Sequence, residues 1–111
     1  MAWSLPEGGE PLKFLRPGHS PDLLKKLRRG RWRVEDELDL HGLNRVQAAR
    51  DLADFLDQGG IRCVRIVHGK GHGVLRETLR AALPARAEVL GFVEAPPAQG
   101  GAGAVLVLLK S

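Results

Sequence analysis

Twice in succession, a run that reads as a β-strand ends in histidine and glycine, then gives way to a helical stripe. The first run spans Glu35 to Leu40, with Leu38 and Leu40 on one side and Glu37 and Asp39 on the other. It breaks at His41-Gly42, and Asn44 can cap a helix through Gln58, with Val46, Ala49, Leu52, Ala53 and Leu56 at helical spacing. Gly59-Gly60 ends that helix. The second run, Ile61 to Val67, breaks at the glycine-rich His68–Gly73. Val74 to Leu83 then carries Leu75, Leu79 and Leu83 four residues apart, with Pro84 just past the end. Two further strands, Glu88 to Val93 and Ala104 to Leu109, flank a Pro/Gly loop over residues 95–103. The order β-α-β-α-β-β predicts an α/β fold: a two-layer sandwich with two helices on a four-stranded mixed sheet. Right-handed crossovers make its first strands parallel.

The chain ahead of this unit has a different texture. Residues 1–19 are rich in Gly, Pro and Glu without a period and read as an irregular or disordered lead-in. Ser20-Pro21-Asp22 is a helix start, Leu23, Leu24 and Leu27 form a short stripe, and Gly30 is a stop. Residues 1–33 are therefore predicted to be a basic arm with one short helix, and 34–111 the compact domain. Deleting the arm is expected to leave folding intact.

Charge separates the two parts. Residues 1–33 hold eight Lys/Arg against three acids, or +5, whereas 34–111 hold nine against ten, or −1. The arm's Lys25, Lys26, Arg28, Arg29 and Arg31 thus carry the attraction to an acidic partner. The single cysteine, Cys63, permits no internal disulfide and fits a reducing cytoplasm; its strand neighbours make it a packing residue rather than a nucleophile. The N-terminus lacks the apolar core of a signal peptide, and no run is long enough to span a membrane.

The carboxyl ends of parallel strands gather into one crevice where ligands bind, so His41 and His68 are predicted to share a site. Asp39 and His41, two apart, point to the same side if the strand continues through them. A carboxylate that orients an imidazole makes a general acid or base, which phosphodiester cleavage needs. In His68-Gly69-Lys70-Gly71-His72-Gly73, the glycines let backbone N–H groups approach phosphate and Lys70 can neutralise it. The spacing is not that of a Walker A loop, which argues against nucleotide hydrolysis. Bland readings stand beside these. Asp39 or His41 alone can serve a turn, a glycine-rich loop can be punctuation, His72 can sit idle in a helical turn, and a basic helix can be a solvated face. No cysteine pair or close histidine spacing supports structural zinc. The sequence names no cofactor, and Mg²⁺ or Mn²⁺ held partly by substrate phosphate stays open.

Three stretches, Leu38-Asp39-Leu40-His41-Gly42-Leu43, His68-Gly69-Lys70-Gly71 and Gly100-Gly101-Ala102-Gly103-Ala104-Val105, resemble in order the signatures of the Smr (small MutS-related) domain family. Phe14-Leu15-Arg16-Pro17-Gly18 and Lys26-Leu27-Arg28-Arg29-Gly30 are similar to the segment preceding the domain in stand-alone proteobacterial members. The resemblance implies a fold like the C-terminal domain of translation initiation factor three. It implies an endonuclease, cutting mRNA at stalled or collided ribosomes in the members nearest in style and nicking DNA in others. It also implies Asp39 and His41 in cleavage, and His68, Gly69, Lys70 and Gly71 in substrate binding or catalysis; His68 is placed with the catalytic residues, and Gly69, Lys70, Gly71 and the adjoining His72 with the nucleic-acid contacts. Gly100, Gly101 and Gly103 would approach the same crevice. Val105 stands where many members carry threonine, so that position offers no hydroxyl. A DNA-nicking enzyme and a non-catalytic RNA- or ribosome-binding module are the competing expectations; oligomeric state is unspecified.

Overall fold

The computed structural model describes residues 10–110. Its elements are β1 (Lys13–Leu15), α1 (Asp22–Arg28), β2 (Asp36–Asp39), α2 (Arg45–Asp57), β3 (Cys63–Val67), α3 (Val74–Ala82), β4 (Val89–Glu94) and β5 (Ala104–Leu109). Two 3₁₀ turns, Pro97–Gln99 and Gly101–Gly103, lie in the loop before β5. The sheet order is β1-β4-β5-β3-β2. β2 and β3 pair in parallel, and β5 runs antiparallel between β3 and β4. β2, β3 and β4 therefore share a direction and end at one edge of the sheet.

The α/β class and the four strands of the compact domain are as predicted, but the sheet has a fifth. Lys13–Leu15 pairs antiparallel with β4, placing Phe14 opposite Phe92, so the lead-in is not irregular here. A three-residue strand between Pro11 and Pro17 is too short to show a period; the β4 edge supplies the hydrogen bonds that make it a strand. Residues 1–9 of the predicted lead-in lie outside the described residues. Arg16 adds a second tie, with its guanidinium donating to the carbonyls of Val89, Pro84 and Arg86 at 2.9 Å each.

A second departure is a third layer. β5 is buried along its whole length because both faces are covered. Val105, Val107 and Leu109 join Leu52, Leu56, Leu75 and Leu79 beneath α2 and α3. Ala104, Leu106 and Leu108 meet Leu24 and Leu27 of α1 on the other face. A helix of two turns is marginal alone. Just ahead of it Ser20 Oγ accepts from Asp22 N at 3.2 Å, and its buried leucines fix it to the sheet. At Gly91 a Cβ would lie 2.9 Å from Phe14 O and 3.0 Å from Leu24 Cδ2, so glycine lets β1 and α1 close on β4.

α2 begins with a capping box: Asn44 Oδ1 accepts from Gln47 N at 2.8 Å and Gln47 Oε1 from Asn44 N at 3.1 Å. Its buried face keeps Leu52 and Leu56 of the predicted stripe but takes Ala48 in place of Val46 and Ala49. Val46 is 67% exposed, because two residues are roughly 200° of helix and put it on the side of α2 away from Ala48. No helix among the described residues is long and apolar enough to cross a membrane.

Candidate functional site

β2 and β3 are in register at Asp39 and Val67, so the two chains leave the sheet side by side. Leu40 N donates to Val67 O at 2.7 Å, and the buried Leu40 anchors the turn that presents His41. Asp39 Oδ1 accepts from His41 N at 3.0 Å and pairs with His41 Nδ1 at 2.6 Å. The side-chain bond with His41, followed by the backbone bond, holds the Asp39 carboxyl below its ordinary range. An ionised carboxylate has no proton to donate, so Nδ1 carries it and Nε2 is left as the working nitrogen. Both side chains remain at least half exposed. The spacing of Asp39 and His41 thus does what the sequence promised, although the bond closes through a turn, since β2 ends at Asp39.

The second loop lies against the first. Gly69 has φ +86°, and a Cβ there would stand 3.4 Å from His41 Cβ. His68 N and Gly69 N both donate to Gly103 O, at 2.9 and 3.0 Å. A Cβ on Gly103 would come within 3.2 Å of Lys70 Cγ. At Gly100, with φ +110°, a Cβ would be 2.8 Å from Ala104 Cβ. The third glycine stretch therefore braces the His68–Gly71 loop from behind. Gly100, Gly101 and Gly103 do not line the crevice.

That crevice, about 410 Å³, is lined by residues 41–43 and 68–76. His41, His68, Gly69, Lys70, Gly71 and His72 come together there, as expected from sequence. His68 is buried, and desolvation, with Arg76 as a lesser cause, pushes its imidazole toward the neutral form against a backbone bond at Gly69. His72 stands between this crevice and a groove of about 650 Å³ that also includes Arg45, Val74 and Thr78. Arg76 is the residue the sequence did not single out. It lies on the same stripe as Leu79 and Leu83, and a cation on an apolar stripe was the signal that could have found it.

The basic arm does not reach into the crevice: Lys25, Lys26 and Arg28 ride on α1, across the sheet from α2 and α3, and Arg29 and Arg31 follow it. Lys26 is paired with Asp22 at 3.5 Å. Arg28 Nε reaches Glu94 O at 3.3 Å, at the carboxyl end of β4. Among the described residues no three His, Cys, Asp or Glu side chains are grouped to hold a metal.

Fold and site together define an α/β domain with an Asp-His pair beside a glycine loop at the carboxyl ends of parallel strands. The Smr domain family model matches residues 38–110, and the chain belongs to the Smr domain family. It is 37% identical over 103 residues to "Ribosome rescue factor SmrB" of Serratia proteamaculans, covering 90% of this chain and 58% of that protein. The protein of that name from Pectobacterium atrosepticum is 39% identical over 102 residues, covering 89% and 57%. The chain thus spans less than two thirds of these relatives. Among solved structures it resembles YdaL, a stand-alone small MutS-related protein from Escherichia coli, with TM-score 0.83 and 29% identity over 100% of this chain and 93% of that one. The Smr domain of Thermus thermophilus MutS2 matches with TM-score 0.66 and 37% identity over 68% of this chain and 99% of that domain.

Proposed function

We propose that this chain is an endonuclease that cleaves RNA, with mRNA on the ribosome as its substrate. The observation that carries the reading is the Asp39–His41 pair set against the glycine loop, with the Gly69 Cβ position 3.4 Å from His41 Cβ. With Nδ1 tied to the carboxylate, His41 Nε2 takes the proton from the attacking hydroxyl, a ribose 2′-OH or a water. Lys70 and the loop's backbone N–H groups beyond Gly69 stabilise the charge that grows on the phosphate, those of His68 and Gly69 being held by Gly103 O. His68, desolvated and driven neutral, is suited to accept a hydrogen bond from substrate rather than to donate a proton. The arm residues Lys25, Lys26, Arg28, Arg29 and Arg31 supply attraction to the polyanion. The ribosome as the place of action is supported by the name that the relatives carry, ribosome rescue factor.

The test incubates purified chain with free RNA, ribosome-bound mRNA and supercoiled plasmid, with and without EDTA, beside an Asp39→Ala/His41→Ala variant. RNA products from the wild type and about a hundredfold fewer or less from the variant are expected. Equal products would remove the pair from the mechanism, and plasmid nicking alone would make the substrate DNA. Salt-dependent RNA binding with no product on any substrate would make the chain a binding module. The EDTA arm decides whether a divalent ion takes part.

A further inference from the structure

Arg76 is the one charge in the crevice that the proposed reaction does not use. It is the third residue of α3, and its side chain is only 9% exposed. Its Nε is withdrawn from solvent and has no hydrogen-bond partner among the described residues. The nearby carboxylate oxygen, Glu77 Oε2, is 3.6 Å away and is held by Arg80, which bonds the two Glu77 oxygens at 2.9 and 3.1 Å. A desolvated donor without an acceptor destabilises the fold until something supplies the acceptor.

The walls say what that acceptor must be. Among the described residues no Asp or Glu lines the crevice; its charged and polar side chains are His41, His68, Lys70, His72 and Arg76. α3 opens on Gly73, which has no side chain to cap the first-turn N–H groups, whereas α2 closes its own with Asn44 and Gln47. Donors and cations gather here, and none of the lining groups is an anion.

We propose that Arg76 anchors an oxyanion subsite at the foot of α3, which takes a phosphate group through the guanidinium, the uncapped N–H groups and Lys70. The subsite deepens the nuclease reading by giving the crevice a second cation on the substrate phosphate. It rests on that reading only for what carries the phosphate. Arg76 acts as a phosphate-binding residue, and proton transfer stays with His41.

The experiment uses the full chain and inorganic phosphate as the probe, against chloride at matched ionic strength. It follows thermal midpoint and the amide NMR shifts of residues 71–76. Wild type should show saturable phosphate binding with a raised midpoint. Arg76→Met should keep or raise the midpoint in chloride, because it removes a largely buried cation whose neighbouring carboxylate, Glu77, stays held by Arg80, and lose the phosphate response. Arg76→Lys, which keeps the charge if Met is not tolerated, should bind phosphate about tenfold more weakly for want of the planar fork. A midpoint in chloride lowered by Arg76→Met with phosphate binding unchanged would make Arg76 structural and overturn the proposal. So would equal affinity in Arg76→Lys. Phosphate binding through Arg76 without cleavage of any RNA would leave the subsite standing and remove the nuclease. RNA cleavage with KM and phosphate binding both indifferent to Arg76 would do the reverse.

Discussion

Removing residues 1–33 should unfold the domain, contrary to the expectation from sequence that it would only weaken binding. The deletion takes away Leu12, Leu24 and Leu27, exposed by 1%, 6% and 0%. Each buried leucine stabilises by about 1.5–3 kcal/mol, so the three contribute roughly 4.5–9 kcal/mol as an upper estimate. A small domain holds about 5–15 kcal/mol in total. The deletion also strips the β1 ladder from β4 and the Arg16 bonds from the chain after α3, and it uncovers Leu90, Leu106 and Leu108. The Thermus domain, 99% covered by a match that takes only 68% of this chain, sets the opposing case of a relative that manages with less. Cys63 provides the probe that decides between them: it is buried in the cluster under α1, and desolvation lifts its thiol to about 11. In the whole chain it should resist alkylation at a mildly alkaline pH. In the 34–111 fragment it should react at a rate near that of the urea-unfolded protein, with a broadened or absent urea transition. Leu27→Ala is the graded version and should cost about 2–5 kcal/mol. A fragment that unfolds cooperatively within about 1 kcal/mol of the whole chain, its cysteine still protected, would show that the arm is dispensable to the fold.

Asp39→Asn should lower single-turnover RNA cleavage by about 10²–10⁴, and adding it to His41→Ala should lower it little further, since the two act as a unit. Because His41 depresses the Asp39 carboxyl, the pair stabilises the fold above the ordinary value of 3.8 and loses that contribution as pH falls through the lower folded value. The gap in urea midpoint between wild type and Asp39→Asn should thus be present near neutral pH and close at the acid end. Gly100→Ala, strained at φ +110° and 2.8 Å from Ala104 Cβ, should cost about 1–3 kcal/mol by urea titration. Gly103→Ala meets the flexible Lys70 stem at 3.2 Å, so it should cost less than about 1 kcal/mol yet weaken RNA binding by displacing Lys70. Replacing Arg28, Arg29 and Arg31 by alanine should flatten the plot of log affinity for RNA against log salt by about 0.7 for each phosphate no longer neutralised, leaving cleavage at saturation unchanged.

The elements between Asp36 and Leu109 were legible because each carries its own signal: alternation in β2, leucine spacing in α3, glycines at the breaks. The juxtaposition of His41 with the His68 loop was also legible, since parallel pairing of β2 and β3 follows from the crossover. What could not be read was set by partners remote in the chain. β1 exists because β4 offers it an edge, and α1 sits where it does because Leu106 and Leu108 leave a face uncovered. Arg76 belongs to the same group. Its position on the apolar stripe is written in the sequence, but a nitrogen left without a hydrogen bond and a crevice lining free of acids among the described residues depend on how separate segments meet.

The charge split along the chain becomes a split across the sheet, and the topology decides whether the two halves can serve one substrate. Asp39 is opposite Val67 on β3, Val67 opposite Ala104 on β5, and Glu94 on β4 opposite Val105. These residues form one row across four strands at the carboxyl edge of β2, β3 and β4. Three strand spacings make that row about 14 Å long. One end carries the Asp39–His41 pair, and the other carries Arg28, bonded to Glu94 O at the last turn of α1. The helix lies on the far face, yet its basic end comes to the same edge as the crevice. Asp39 itself alternates with the core-facing Leu38 and Leu40, so its side chain starts on the α1 side and meets His41 at the rim. On the proposed function, a strand of nucleic acid held by Arg28, Arg29 and Arg31 has only to follow the sheet edge to bring a phosphate to the pair. The arm and the crevice are neighbours through this edge, and in the proposed reaction that is how the arm's charge would act on a step it does not touch.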